Sequence, residues 1–224
     1  MNMDRDPSYH DMMAFTGGKF ESMTNEARWQ ARDEYIKAYD EHMRLREQRY
    51  RERSWERLCP PAYRNTVPEQ LPDLVKFKQV QEWQYGATGL LLVGPTRRGK
   101  TRAAWTLIKR LYLEEGRTIK TFRPMDLKLE VANALGDAEE AEEWIGGLRH
   151  TDVLFLDDLD TVKFTEAVEE TIYDLFEFRP THGKPVIVTL NLTGRRLAER
   201  MNANNRGAKI VERMREFCQV INFT

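Results

Sequence analysis

The stretch Gly94-Pro95-Thr96-Arg97-Arg98-Gly99-Lys100-Thr101 limits what this chain can fold into more than any other segment. It fits the pattern G-x-x-x-x-G-K-[ST], and its surroundings fit as well. Before it, Gly89-Leu90-Leu91-Leu92-Val93 is a short apolar run of the kind that forms a buried parallel strand. After it, Ala103, Ala104, Leu107, Ile108, Leu111 and Leu113 recur at helical spacing, and Gly116 supplies a stop. Strand, glycine loop and helix, in that order, cradle a phosphate. Loop N–H groups wrap the anion, and the helix N-terminus turns its positive end toward it. In such a cradle Lys100 reaches the β- and γ-phosphates of ATP, and the Thr101 hydroxyl binds Mg²⁺. Arg97 and Arg98 are unusual, because glycine is common at the fourth position of such loops. Their side chains leave the loop while its N–H groups face inward. They touch phosphate or point outward to a partner, and at least one is expected to point outward.

A second signature is Val153-Leu154-Phe155-Leu156-Asp157-Asp158, an apolar strand ending in two carboxylates, 57 residues past Lys100 (157 minus 100). Asp157 is placed to hold Mg²⁺ through water opposite Thr101. Asp158 is placed to orient and deprotonate an attacking water. A second acid suits hydrolysis better than phosphoryl transfer to a small-molecule acceptor, and no lid segment for such a kinase is evident. The third signature is Val186-Ile187-Val188-Thr189-Leu190-Asn191, a β-branched strand ending in a polar residue. If this strand lies beside the glycine-loop strand, Asn191 reaches the γ-phosphate and the water. Otherwise it is a turn asparagine ahead of Leu192-Thr193-Gly194.

The 224 residues suffice for one α/β domain and an appendage. Lys plus Arg number 35 and Asp plus Glu 36, so the net charge of −1 gives no basis for tight nonspecific nucleic-acid binding. Cys59 and Cys218 are far apart and lack metal-type spacing, which suits reduced thiols in a cytoplasmic protein. The first residues have no apolar signal segment, and no run is long enough to span a membrane.

Residues 1–20 are polar and are expected to be a flexible tail. Residues 21–58 predict a long helix or helix pair, with Ala27, Ala31, Tyr35, Tyr39 and Met43 four apart and arginines crowding the second half. Cys59-Pro60-Pro61 ends it. Three readings of this region stay open: packing on its own domain, docking a partner protein through Trp29, Tyr35, Tyr39 and Tyr50, or binding single-stranded nucleic acid. From residue 60 to 224, strands and helices alternate, as in a parallel α/β sheet. Strands are predicted over Thr118–Phe122, Val153–Leu156, Val186–Leu190 and Gln219–Phe223. Helices are predicted over Leu127–Leu135, Ala138–Leu148, Glu166–Phe178, Leu197–Met201 and Lys209–Arg215.

Gly94–Thr101, the Asp157-Asp158-Leu159 turn, Thr189-Leu190-Asn191-Leu192 and Val211-Glu212-Arg213-Met214-Arg215 together resemble the ATPase domain of AAA+ proteins. Order and spacing most resemble DnaC-type replicative helicase loaders and the related IstB-type transposition helpers, over roughly residues 60–224. The resemblance implies a P-loop NTPase fold, a three-layer parallel-sheet core preceded by a helical extension. With the last strand running up to Thr224, the sequence departs from larger AAA+ proteins, and the C-terminal lid with its sensor-2 arginine is expected to be missing. It places Asn191 at the sensor-1 position. It makes Arg213 an arginine finger acting on the ATP of a neighbouring subunit, the alternative being an arginine paired with a local acid such as Glu212 or Glu216. Arg179 matches an arginine often found at its position, with its role open. The implied activity is ATP hydrolysis by a homo-oligomer, and the departures from the family pattern lead us to expect it to be slow and dependent on a partner or neighbour. The implied partners are ATP, Mg²⁺, a replicative helicase or another replication or transposition protein gripped by residues 21–58, and single-stranded DNA. An IstB-like helper acting with duplex DNA and a transposase, or a nucleotide-gated adaptor with little turnover, are the alternatives.

Overall fold

The computed structural model describes residues 7–134 and 136–224. The described residues fall into two compact units, divided between Ser54 and Trp55. In the first unit, helix α1 (Tyr9–Phe15) lies within the segment expected to be a flexible tail. Ser8 and Asp11 form a capping box that satisfies its first N–H groups, Met12 is buried, and Phe15 meets Tyr35 edge-on at 5.4 Å. Residues 1–6 of that expected tail lie outside the described residues. Helix α2 (Asn25–Leu58) is a single helix of 34 residues, and the unit boundary falls within its last turns.

The second unit is built on apolar strands that need cover on both faces. In chain order its elements are α3 (Pro61–Arg64), α4 (Leu74–Glu82), β1 (Gly89–Val93), α5 (Lys100–Leu113), β2 (Ile119–Phe122), α6 (Pro124–Ala134) and α7 (Ala138–His150). They continue with β3 (Val153–Leu156), α8 (Glu166–Thr181), β4 (Val186–Leu190), α9 (Gly194–Met201), α10 (Gly207–Phe217) and β5 (Cys218–Asn222). The strands form one parallel sheet in the order β2-β3-β4-β1-β5, with Leu91 paired to Val188 and Leu154 to Val186. β1, β3 and β4 are buried at every residue, whereas the edge strands β2 and β5 are partly exposed.

The alternation of side chains along a strand splits the core in two. Leu90 and Leu92 of β1 pack with Ala103, Leu107 and Ile108 of α5, Phe77 and Val80 of α4, and Trp55 at the end of α2. Leu91 and Val93 face the other way, toward Leu127 of α6, Ile172 and Phe176 of α8, Leu197 of α9 and Ile210 of α10. The result is a three-layer α/β domain, as the element pattern requires. Each fully buried leucine here contributes about 1.5–3 kcal/mol relative to exposure.

Beyond α1, the structure departs from the sequence expectations in the ends of several elements, by up to three residues, and in two helices not predicted, α3 and α4. α8 runs past Phe178 through Pro180 to Thr181, and the N–H groups of His182, Gly183 and Lys184 close its end on the carbonyls of Arg179 and Pro180. α4 was not anticipated. Its signal was local: Asp73 caps the helix by accepting from the Lys76 N–H, and Phe77 and Val80, three apart, are its buried residues.

Candidate functional site at the C-terminal sheet edge

Parallel strands deliver their C-terminal ends to one edge, where open α/β sheets place ligand sites. β4 lies between β3 and β1. The residues that follow these three strands, Gly94, Asp157 and Asn191, therefore arrive side by side.

The glycine loop leaves β1 at Gly94, whose φ is 146°. A Cβ there would lie 2.0 Å from the Phe223 carbonyl oxygen, so the close approach to the chain after β5 demands glycine. Gly99, at φ 92°, turns the chain into α5. Arg97 takes the left-handed region at φ 63°, which costs an L-residue about 1–2 kcal/mol and is the conformation that glycine adopts freely. Arg97 and Arg98 are both exposed, and both line the cavity described below.

Lys100 starts α5 and is buried. Its ammonium donates to the carbonyls of Gly94 at 2.7 Å and Pro95 at 2.8 Å, and to Asn191 Oδ1 at 3.0 Å. Burial pushes its pKa down, and the carboxylates of Asp158, Asp160 and Asp157 oppose that shift. The Thr101 hydroxyl donates to Asp157 Oδ1 at 2.9 Å, and the Thr189 hydroxyl of β4 donates to the same oxygen at 2.7 Å. Burial raises the Asp157 pKa against these two hydrogen bonds. The Asp158 N–H donates to Thr189 Oγ1 at 2.6 Å, and Asp158 holds φ 51°. Asn191 Nδ2 reaches Asp158 Oδ1 at 3.3 Å. Thr101, Asp157, Thr189, Asp158, Asn191 and Lys100 are thus linked in one polar network.

A cavity of about 430 Å³ opens over this network, lined by Thr96–Thr101, Asp158 and Asn191 on one side and by Tyr63, Gln70, Leu71 and Pro72 on the other. Its size suits a small organic ligand, and its polar wall suits an anion. A hydroxyl and a carboxylate 2.9 Å apart are hard oxygen donors of the number that Mg²⁺ takes from protein while keeping water and phosphate as its other ligands. The residues present fit Mg²⁺ bound together with a nucleotide.

Arg213 is not brought to this cavity within the chain. It sits on α10, where Nε donates to Glu177 Oε1 of α8 at 2.5 Å and Nη1 to Glu216 Oε2 at 2.6 Å. The expected local partners were Glu212 or Glu216; Glu177, distant in sequence, was not foreseen. The two carboxylates hold the guanidinium pKa above its ordinary value. Arg179 is at the opposite sheet edge, fully buried, donating to the carbonyls of Leu148, Arg149, Asp152 and Pro185. Burial lowers its pKa to about 10. Its place is structural: it ties the end of α7 to the starts of β3 and β4.

Sequence reasoning missed Thr189 and Asp160. Thr189 was legible as the hydroxyl in an otherwise apolar strand. Asp160 had only the third acid of Asp157-Asp158-Leu159-Asp160 as a signal.

No protein-family model and no curated protein sequence matches the chain. Solved structures do. DnaI superposes with a TM-score of 0.61 at 20% identity, over 74% of this chain and 95% of DnaI. The DnaC helicase loader superposes with a TM-score of 0.57 at 21% identity, over 76% of this chain and 99% of DnaC. At 20–21% identity the likeness is one of fold. AMPPCP-bound DnaA from Aquifex aeolicus superposes with a TM-score of 0.56 at 14% identity, over 73% of this chain; the chain spans 50% of that DnaA chain. Among the described residues, no helix is long and apolar enough to cross a membrane.

Proposed function

We propose that this protein binds and hydrolyses ATP and uses it to load or remodel a nucleic-acid machine, foremost a replicative helicase. The observation that carries the reading is the insertion of β4 between β1 and β3, which puts Asn191 in contact with both Lys100 and Asp158. That contact assembles a phosphate-binding cation, a polar group for the γ-phosphate and a carboxylate for water around one cavity. Lys100 and the loop N–H groups of Gly94–Thr101 hold the phosphates. Asp158 orients and deprotonates the attacking water, and Asn191 fixes water and γ-phosphate together. Thr101 and Asp157 hold Mg²⁺, which when bound neutralises charge building on the phosphate oxygens.

Arg213 acts in trans. With Glu177 and Glu216 as its partners in the single chain, it exchanges them for the phosphate of a neighbouring subunit, so turnover needs a homo-oligomer. In this reading residues 60–224 are the ATPase domain and residues 21–58 grip the partner. Trp29 and Tyr50 support the second role, since both are 63% exposed on α2 and are residue types that anchor interfaces. The existence of DnaA in complex with AMPPCP and single-stranded DNA supports a DNA contact for the shared core. The cytoplasm, where ATP and replication machinery meet, is the expected compartment.

Steady-state ATP hydrolysis by the full chain, with single-stranded or duplex DNA and across protein concentrations, tests this reading. Specific activity that rises with concentration and with single-stranded DNA is expected. Mixing Arg213→Ala with Lys100→Ala subunits should restore part of the activity each lacks alone. Absence of turnover at every concentration, with DNA and with a replicative helicase present, would sink it. Stimulation by duplex DNA alone would favour the transposition helper.

A further inference from the structure

Asp160 is 3% exposed and does not line the cavity, although its charge acts on Lys100. Its Oδ2 accepts the backbone N–H of Asn191 at 2.9 Å and that of Leu192 at 2.6 Å. Its Oδ1 lies 3.4 Å from Asn191 Nδ2. These are the first two N–H groups beyond β4, where the ladder to β1 and β3 has ended and the chain must turn toward α9. A carboxylate that accepts two backbone N–H groups makes charge-assisted bonds, about twice as strong as neutral ones. Buried N–H groups left without an acceptor each cost about 1–3 kcal/mol.

The side-chain amide of Asn191 has competing demands. Its oxygen accepts from Lys100 and its nitrogen faces Asp158 Oδ1 at 3.3 Å, a long bond that does not by itself fix the amide. Asp160 holds the backbone of Asn191 at 2.9 Å and accepts from its amide nitrogen at 3.4 Å. We propose that Asp160 is a positioning residue for hydrolysis: it clamps the turn after β4 so that the Asn191 amide stays aimed between Lys100 and Asp158. The inference rests on the ATPase reading of this site and names a residue through which that site is kept in register. Asp160 comes from the same turn as Asp157 and Asp158. The turn that supplies the metal carboxylate and the water-activating carboxylate therefore also fixes the third component across the strand gap.

The test uses the full-length chain and three variants, Asp160→Asn, Asn191→Ala and the double variant. Asp160→Asn keeps the size of the side chain but removes the charge that both N–H groups share. Its affinity for the nonhydrolysable analogue AMPPCP with Mg²⁺ should stay within about twofold of wild type, while kcat falls about tenfold. A merely structural residue would lower binding and turnover together with thermal stability. If Asp160 acts through Asn191, the double variant should be no slower than Asn191→Ala alone. Multiplicative losses in the double variant would overturn the proposal. Backbone amide exchange in the wild-type chain gives a reading independent of turnover and of whether any variant folds. The Asn191 and Leu192 amides should exchange at least about tenfold slower than open loop amides. Unprotected exchange at both would overturn the proposal even if ATP is hydrolysed. A wild-type chain that hydrolyses nothing but protects both amides, and loses that protection in Asp160→Asn, would count against the ATPase reading and still place Asp160 as the clamp on Asn191.

Discussion

Lys100 and Arg179 are both cations buried at an edge of the same sheet, and both are held largely by backbone carbonyls. They differ in what lies beside them. Lys100 sits at the C-terminal edge beneath a cavity of about 430 Å³, with two loop carbonyls and the Asn191 amide as its acceptors. Arg179 sits at the N-terminal edge, enclosed, with carbonyls from α7 and from the residues ahead of β3 and β4 around its fork. A cation whose acceptors border open space can trade them for a ligand oxygen at little cost. A cation whose acceptors are walled in cannot leave without orphaning them. The same chemistry therefore suits the proposed ligand-binding role at one edge and makes a clamp at the other.

The largest effect is expected at the clamp. Arg179→Ala should destabilise the protein by about 3–5 kcal/mol, because it opens a cavity and leaves several buried carbonyls without a donor. Chemical denaturation measures this, and a loss under about 1 kcal/mol would show that the carbonyls find other donors. At the opposite edge, Asp158→Asn should lower turnover by about 100-fold while Mg-ATP binding persists, since on the proposed mechanism the variant loses the base and keeps Thr101 and Asp157. Turnover at the parental rate would remove Asp158 from the chemistry.

Asp152 sharpens the comparison with pH. Burial alone would raise its pKa, but the Lys184 ammonium and the Thr118 N–H and hydroxyl outweigh burial and hold the carboxyl at about 2, against an ordinary 3.8. A depressed carboxyl stabilises the fold fully above the ordinary value, and that stability is lost as pH falls toward 2. About 2 kcal/mol should disappear between about pH 4 and pH 2, and Asp152→Asn should flatten that part of the wild-type stability curve. An unchanged slope in the variant would assign the loss to other acids. The smallest effect belongs to Arg97. Arg97→Gly relieves the left-handed backbone at φ 63° but adds chain entropy to the unfolded state, so stability should rise by no more than about 1 kcal/mol. A loss of stability in thermal melts would mean that the Arg97 side chain makes contacts worth more than the strain.

The glycine loop was legible because all its requirements are local: an apolar strand, two glycines, a lysine and a helix within 25 residues of chain (89 to 113). The strand order was not readable from any one segment, and it decides whether Asn191 is a turn residue or part of the site. Asp160 escaped because its partners lie 31 and 32 residues away, so nothing near it in sequence marks it as a clamp. The Glu177 partner of Arg213 was hidden for the same reason, at 36 residues. α1 was obscured by its polar, glycine-bearing surroundings, although Ser8 and Asp11 carried the capping signature.

The most direct measurement is a Mg-ATP binding titration of the wild-type chain and of Lys100→Ala, paired with denaturation of both. Lys100→Ala should lose affinity by about 100-fold, because a charge-assisted contact to the phosphates is gone, while stability changes by less than about 1 kcal/mol. Near-wild-type affinity in Lys100→Ala, or a collapse of stability like that expected for Arg179→Ala, would contradict the assignment of Lys100 as the ligand-binding cation of the two.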